Sequence, residues 1–506
     1  MAMTTLAVRG SPAASQLDIV ALRRVFLGLA LVAMVAAPFT PDPLEFAVGG
    51  LAPWILLSII GTPTMPAAIP YLLLWQWLQV FARALVSVTD GEPMGRSLYG
   101  PWVVSAYWYM LASLVALAVA MRMVLGSLRP PTPREANAHL AWGPTELFQF
   151  YLFGLVVATV AQYMRIAAPS LDQPLEALSR VKILTLFMLF VGVFTLRRGY
   201  VYMLAAIAIE MAIGFSGYLG DFRAVFFFLF VAALASRTRW TGGTSIVVAA
   251  GAIFLVVLGM FWTSVKTDYR KFATGSDESQ QIIVPVDVRL GYMGERVADA
   301  GNIDWSYSAY LLLVRLAYVG IFGSVVGVQA SSPEPGVMGQ WSDALSHVFQ
   351  PRVLFPNKPF LSDSDVFMRL ARVDLDESIR AGTSISVGYM AENYVDLGFP
   401  WMLVGVFLLG AMLALACRYF MSLRAPWVMR EGTVLVLIYM VNQNGVEVSL
   451  PKLLGVIVTT FVFYALLAKF AYPTAWRWLD RKALAQRQAA QMKEKIRASQ
   501  RSSYDK

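Results

Sequence analysis

Apolar residues fill this chain in runs of about 20, divided by short polar breaks. A helix of that length matches the hydrocarbon core of a bilayer. The pattern predicts thirteen membrane segments: Val20–Ala37, Leu44–Ile60, Ala67–Leu85, Trp102–Leu125, Glu146–Ala167, Arg180–Leu196, Tyr200–Gly217, Phe222–Ala235, Ser245–Thr263, Ser306–Val328, Trp401–Phe420, Thr433–Val446 and Leu453–Ala471. The breaker stretch Gly61-Thr62-Pro63 separates the second from the third. Phe222–Ala235 is short for a span, and Ser306–Val328 is interrupted by Arg315, Gly320 and Gly323. The alternating ten-residue segments of a membrane barrel are not present. The predicted fold class is therefore all-α, a polytopic transmembrane helix bundle of about 12–14 spans with one large extracytoplasmic loop.

That loop is the longest polar interruption, about seventy residues from Gln329 to Gly398. It carries the proline-punctuated stretch Pro351-Arg352-Val353-Leu354-Phe355-Pro356-Asn357-Lys358-Pro359. Its mixture of aromatic, aliphatic, proline and charged residues predicts a folded, functional loop. The chain then divides into N-terminal transmembrane helices (1–265), an outer loop with a re-entrant or crossing helix (266–328), the large loop (329–398), C-terminal transmembrane helices (399–471) and a basic tail (472–506).

Orientation follows from Lys and Arg, which concentrate on the cytoplasmic side. Arg122, Arg129 and Arg134, then Arg197 and Arg198, Arg237 and Arg239, and Arg418, Arg424 and Arg430 mark the inside loops. The tail from Arg477 is basic and helix-patterned, so both termini are expected in the cytoplasm. Thirteen crossings cannot leave both ends on one side. Either Ser306–Val328 enters and returns, as irregular backbone lining protein or water can, or one weak span is misassigned.

Composition narrows the function. Hydrophobic residues make up 58% of the 506 and charged residues 14%, far below the roughly 25% charged of soluble domains. The single cysteine, Cys417, argues against a disulfide framework or a cysteine metal site and is assigned to helix packing. Two histidines, His139 and His347, argue against a haem pair or a His-rich metal site, so no metal and no cofactor is expected. The net charge of +9 collects beside the membrane segments and in the tail, so it does not call for nucleic acid. The first apolar stretch reads as a retained span rather than a cleaved signal.

Candidate chemistry lies in a few polar residues. Arg315, mid-segment in Leu311-Leu312-Leu313-Val314-Arg315-Leu316, serves either a structural ion pair or an anionic ligand. Glu210 is expected to partner an intramembrane arginine. Gly217-Tyr218-Leu219-Gly220-Asp221-Phe222-Arg223 is a glycine-rich turn opening a helix, where free N–H groups and a forked guanidinium suit an anion; an interfacial, snorkelling Arg223 is the alternative. Arg165 and Arg180 read as snorkelling residues. Arg352 and Lys358 are cations held by prolines, facing either a ligand or acids of their own loop. Asp363-Ser364-Asp365 has the form of a metal motif common in polar loops. His347 is a possible base, although a lone loop histidine is more often structural. Glu392 is a candidate acid or base, or equally a capping carboxylate. Asn442, Gln443, Asn444 and Glu447 either bind sugar hydroxyls or join helices.

Pro351-Arg352 through Lys358-Pro359, then Gly388 with Ala391-Glu392-Asn393-Tyr394 and Leu397-Gly398-Phe399, resembles the Wzy-type polymerases of O-antigen and exopolysaccharide repeat units. The turn Gly220-Asp221-Phe222-Arg223 is similar to a small-x-Arg segment of that family. The match covers about Ser216 to Gly410; the earlier spans match only as hydrophobic helices. The resemblance implies a fold related to the GT-C-like, lipid-linked-sugar glycosyltransferases and O-antigen ligases. It implies a reaction at the outer face of the bacterial inner membrane, in which a glycan on undecaprenyl diphosphate is transferred to a new lipid-linked repeat unit. By that resemblance Arg223, Arg352 and Lys358 bind the diphosphate, Arg315 is similarly placed to a substrate-binding helix arginine before the loop, and Glu392 and Tyr394 stand on the acceptor side. The related ligases depend on a loop histidine, and His347, the candidate base, lies just before Pro351-Arg352 without a clear alignment to it. A ligase acting on another acceptor and a lipid-linked oligosaccharide flippase are the competing functions. Expected partners are the lipid-linked substrate, membrane lipid, a chain-length regulator and export proteins. The lack of an inverted repeat, which transporters often carry, favours the enzyme.

Overall fold

The computed structural model describes residues 18–504, apart from 63, 133–134, 136–137, 217–220, 238–241, 276–281, 333–337, 351–353, 356–357, 359–361 and 375–383. Every described element is a helix. In chain order they are α1 (Ile19–Ala36), α2 (Pro43–Ile60), α3 (Ala68–Asp90), α4 (Trp102–Leu125), α5 (Pro144–Ala167), α6 (Asp172–Ser179), α7 (Val181–Leu196), α8 (Tyr200–Ser216), α9 (Ala224–Ala235), α10 (Gly242–Thr274), α11 (Val286–Ala298), α12 (Trp305–Leu316), α13 (Val319–Ser331), α14 (Gln340–Phe349), α15 (Asp363–Ala371), α16 (Tyr389–Leu397), α17 (Met402–Met421), α18 (Trp427–Asn442), α19 (Leu450–Phe470) and α20 (Tyr472–Tyr504).

The protein is a multi-pass membrane helix bundle. Among the described residues, nine helices are long and apolar enough to cross, or ten if α12 and α13 form one bent span. This is fewer than the thirteen segments that hydropathy predicts, and helix length is the reason. The 12 residues of α9 rise only about 18 Å and the 16 of α18 about 24 Å, short of a core about 30 Å thick. Helix α8, at 17 residues, is also below the threshold. Helix α18 is apolar for a different reason than lipid exposure: nearly all of it is buried, between α3, α7, α17 and α19.

Close helix approach depends on small residues, because lipid supplies no hydrophobic drive between helices. Helices α4 and α17 form the most extensive pair. A Cβ on Gly410 would lie 2.9 Å from Leu117 and 3.1 Å from Ala120. Helix α13 meets α4 in the same way: a Cβ on Gly323 would lie 2.9 Å from the Cα of Val103.

The apolar segment around Arg315 is broken, as its glycines and its charge predict. Helices α12 and α13 meet at a 46° bend across Ala317 and Tyr318. Helix α12 packs on α3 and α10, whereas α13 packs on α4 and α16. Tyr318 is fixed at the elbow by donating its hydroxyl to the carbonyl of Ser386.

Within the long polar loop the described residues form α14, α15 and α16. Asp396 on α16 caps the start of α14, accepting from the N–H groups of Gly339 (2.8 Å), Gln340 (3.0 Å) and Trp341 (2.8 Å). These are donors that the first turn of a helix leaves without partners. Helix α14 then lies along α19.

Candidate functional site

A band of hydrogen-bonded polar groups runs through the apolar bundle and organises the connection between α18 and α19. Gln76 and Gln79, one turn apart on α3, are 3% and 2% exposed. A buried amide is costly unless paired, and both are paired. Gln76 donates to Asn442 Oδ1 (3.2 Å) and accepts from the Tyr389 hydroxyl (2.9 Å). Gln79 accepts from the N–H of Val446 (2.9 Å) and donates to Glu447 Oε1 (3.2 Å). Two glycines permit this packing. Gly445 has φ +60° and a Cβ there would sit 1.8 Å from Gln79 Oε1; Gly388 has φ +85° and its Cβ would sit 2.3 Å from the carbonyl of Val446.

Around Glu447 the cations gather. Arg315, in the last turn of α12, places Nη2 2.9 Å from Glu447 Oε2. Its side chain is 59% exposed while that of Glu447 is 18% exposed, so an exposed guanidinium meets a largely buried carboxylate. Arg223 arrives at the start of α9, where its guanidinium lies 5.7 Å from the ring of Trp75. It is close enough to Glu447 to favour the carboxylate. Lys266 and Arg270 stand one turn apart on α10, and Lys266 lies in the fields of Arg315, Arg270 and Arg223. Burial raises the pKa of Glu447, and Arg315 and Arg223 oppose that rise. The indole nitrogen of Trp75 is buried without a hydrogen-bond partner among the described residues. Arg315 and Arg223 about Glu447, with Lys266 in the field of both and Arg270 one turn along from it, form beside the helix break an environment that attracts a polyanion.

The remaining predicted residues fall elsewhere. Arg352 lies outside the described residues. Lys358 donates to the carbonyls of His347 and Gln350 (the latter at 2.9 Å). It thus serves the end of α14, where a cation complements the helix dipole. His347 occupies the last turn of α14. Glu392 is 1% exposed and accepts from the N–H of Leu450, the first residue of α19. It lies outside the candidate spans, and burial pushes its pKa up to about 8, against the Leu450 hydrogen bond. The Tyr394 ring stacks on Tyr109 (5.7 Å between centroids) and meets Phe322 edge-on (5.6 Å). Arg223 and Arg315 are therefore brought together, while Lys358, His347 and Tyr394 serve their own neighbourhoods.

The α18–α19 connection is what the dispersed groups share. Glu447 takes Arg315 and Gln79, and Leu450 takes Glu392. Asp363, at the start of α15, accepts from Ser449 (3.0 Å) and from Lys452 (2.5 Å). The first aspartate of the Asp-x-Asp triplet is thus held by protein groups. Glu210 pairs with Lys182 (2.6 Å) and with the Tyr151 hydroxyl (2.9 Å), a lysine rather than the expected arginine. Arg165 pairs with Asp172 and Glu176, and Arg180 with Glu176.

No family model, no curated protein and no solved structure matches the chain. The site's chemistry therefore has to be argued from its own residues. Lys266, Arg270, Gln76 and Gln79 were not apparent from sequence as site residues. The one signal was the i, i+4 spacing of Lys266 and Arg270 just past the apolar part of α10.

Proposed function

We propose that the chain is a membrane glycosyltransferase that polymerises undecaprenyl-diphosphate-linked oligosaccharide repeat units into a surface polysaccharide, at the outer face of the bacterial inner membrane. The observation that supports this is the meeting of Arg315 and Arg223 at Glu447 beside the α12–α13 break, with Lys266 in the field of both arginines. A diphosphate is the polyanion that such a cluster suits, and in this reading its polyprenyl tail stays in the lipid.

In this reading an acceptor hydroxyl attacks the anomeric carbon of the donor glycan. The new glycosidic C–O bond forms as the C–O bond to the diphosphate breaks, and the polyprenyl diphosphate leaves with the bonding pair. Fixed guanidinium and ammonium groups stabilise the charge that develops on it. Arg352, which lies outside the described residues, is proposed as a diphosphate binder on the family resemblance alone. Lys358 and Glu392 act as positioning residues, the first through α14 and the second through the start of α19. Tyr394 and His347 are proposed for the acceptor side, where orientation of the hydroxyl and uptake of its proton are needed. This rests on the family resemblance and not on their contacts, which lie with Tyr109 and Phe322 and within α14.

The test is incubation of the purified protein with a lipid-linked repeat unit, followed by sizing of the products. A ladder of longer glycans with release of polyprenyl diphosphate supports the proposal. Transfer to an unrelated acceptor without a ladder would point to a ligase, and translocation into vesicles without elongation would reject the enzyme.

A further inference from the structure

A second chamber opens at the other end of the two helices that flank the cationic cluster. Arg223 starts α9 and Glu447 follows α18. A cavity of about 640 Å³ is lined instead by the residues just after α9 and by the first turns of α18, among them Arg237, Trp427 and Glu431. These helices rise about 18 and 24 Å, so the cavity is separate from the Arg315–Glu447 pair. Its volume falls within the range of small-ligand sites, about 300–1,000 Å³.

The walls have the features of a built site. Glu431, 4% exposed, is held in place by accepting from the N–H of Ala67 at 3.2 Å. The Thr62 hydroxyl, in the α2–α3 connection, is buried with no hydrogen-bond partner among the described residues. Such an atom is normally satisfied by water or ligand. Arg129 and Arg237 are exposed at the rim. Leu234 and Met421 supply apolar wall. Asp18 also lines the cavity and caps the start of α1 through the N–H of Ala21 (2.8 Å), so the two rim arginines face one rim carboxylate.

We propose that this cavity binds the headgroup of a glycerophospholipid carrying a phosphate ester and free hydroxyls, with phosphatidylglycerol as the fitting chemistry. The two guanidinium groups take the phosphate, for which their forked donors are suited. The glycerol hydroxyls reach Thr62 and Glu431, and the glycerol backbone and acyl stems lie on the apolar wall. The proposal is independent of the glycosyltransferase reading, because it uses none of its residues.

The test is native mass spectrometry of the full-length, detergent-purified protein titrated with phosphatidylglycerol, phosphatidylethanolamine or free glycerol phosphate. Preferential retention of phosphatidylglycerol is expected. The Arg129→Gln/Arg237→Gln variant should weaken it by about tenfold or more, and Thr62→Val, which keeps the shape, by a few-fold. The charge-matched control Arg481→Gln/Lys482→Gln on α20 should leave it unchanged. Equal retention by wild type and both cavity variants, or an equal loss in the control, overturns the site. Binding of glycerol phosphate alone with displacement of the lipid would support the phosphate chemistry and overturn the membrane as its source.

Discussion

Arg315 and Glu447, 132 residues apart in the chain, meet through Nη2 and Oε2 at 2.9 Å. The pair joins the end of a broken helix to the connection between two others. Because the arginine is more than half exposed, the pair itself adds little to stability, about 0–1 kcal/mol. Its significance is positional: Glu447 holds through Nη2 a guanidinium that is otherwise largely exposed.

Arg315→Ala is therefore expected to lower the elongation rate by about 100-fold or more, the scale of removing one fixed donor from developing charge, with little change in melting temperature. Arg315→Lys keeps the charge but loses the fork and should fall between the two. Product ladders at matched protein levels, together with thermal unfolding, check this. A fully active Arg315→Ala would remove the cluster from the mechanism.

Salt should separate the cluster's long-range attraction from its contacts. Exposed charges are screened beyond about 10 Å at 0.1 M. The KM for the lipid-linked unit is expected to rise with ionic strength in the wild type and to rise less steeply in Lys266→Ala and Arg223→Ala. Initial rates across a salt series read this directly. Parallel salt slopes in all three proteins would mean that these cations do not attract the substrate.

Glu392 predicts a pH dependence of stability. Its carboxyl keeps its proton in the folded protein up to about 8, whereas the ordinary value is 4.5. Folding is thus favoured most below the ordinary value, and that advantage is lost as pH rises through about 8. Glu392→Gln keeps an oxygen for the Leu450 N–H and cannot ionise. Its melting temperature should fall less than the wild type's between about pH 5 and 9. Identical pH profiles for the two proteins would contradict the raised value.

Asp396→Ala leaves three N–H groups at the start of α14 without their acceptor. Each lost partner costs on the order of 1–3 kcal/mol where water cannot substitute fully. Local opening of 338–350 is expected, with faster hydrogen exchange there and no change in α4 or α17. Asp396→Asn retains one carbonyl oxygen and should open less.

The helices were legible because lipid selects uninterrupted apolar runs, and the broken segment was legible because Arg315 and its following glycines disturb one. Hydropathy could not separate α18 from a span, since a helix buried in protein and one buried in lipid have the same composition. The site was only half legible. Arg223 and Arg315 stand out as charges against apolar background. Gln79 and Glu447 meet across hundreds of residues, and no local period encodes such a contact. Lys182 looked like the flank of a span, so its pairing with Glu210 was hidden by its position at the start of α7.

The 46° elbow between α12 and α13 has a mechanical consequence. Arg315 and Glu447 are both referenced to α3, which touches α12 and the connection that carries Glu447. Helix α13 rests mainly on α4, with smaller contacts to α16, α15 and α3. A continuous rod would transmit every shift of the second group to the first. The elbow gives each half its own main seat, so the direction in which α12 presents Arg315 is set by α3 and α10 and not by the course of α13.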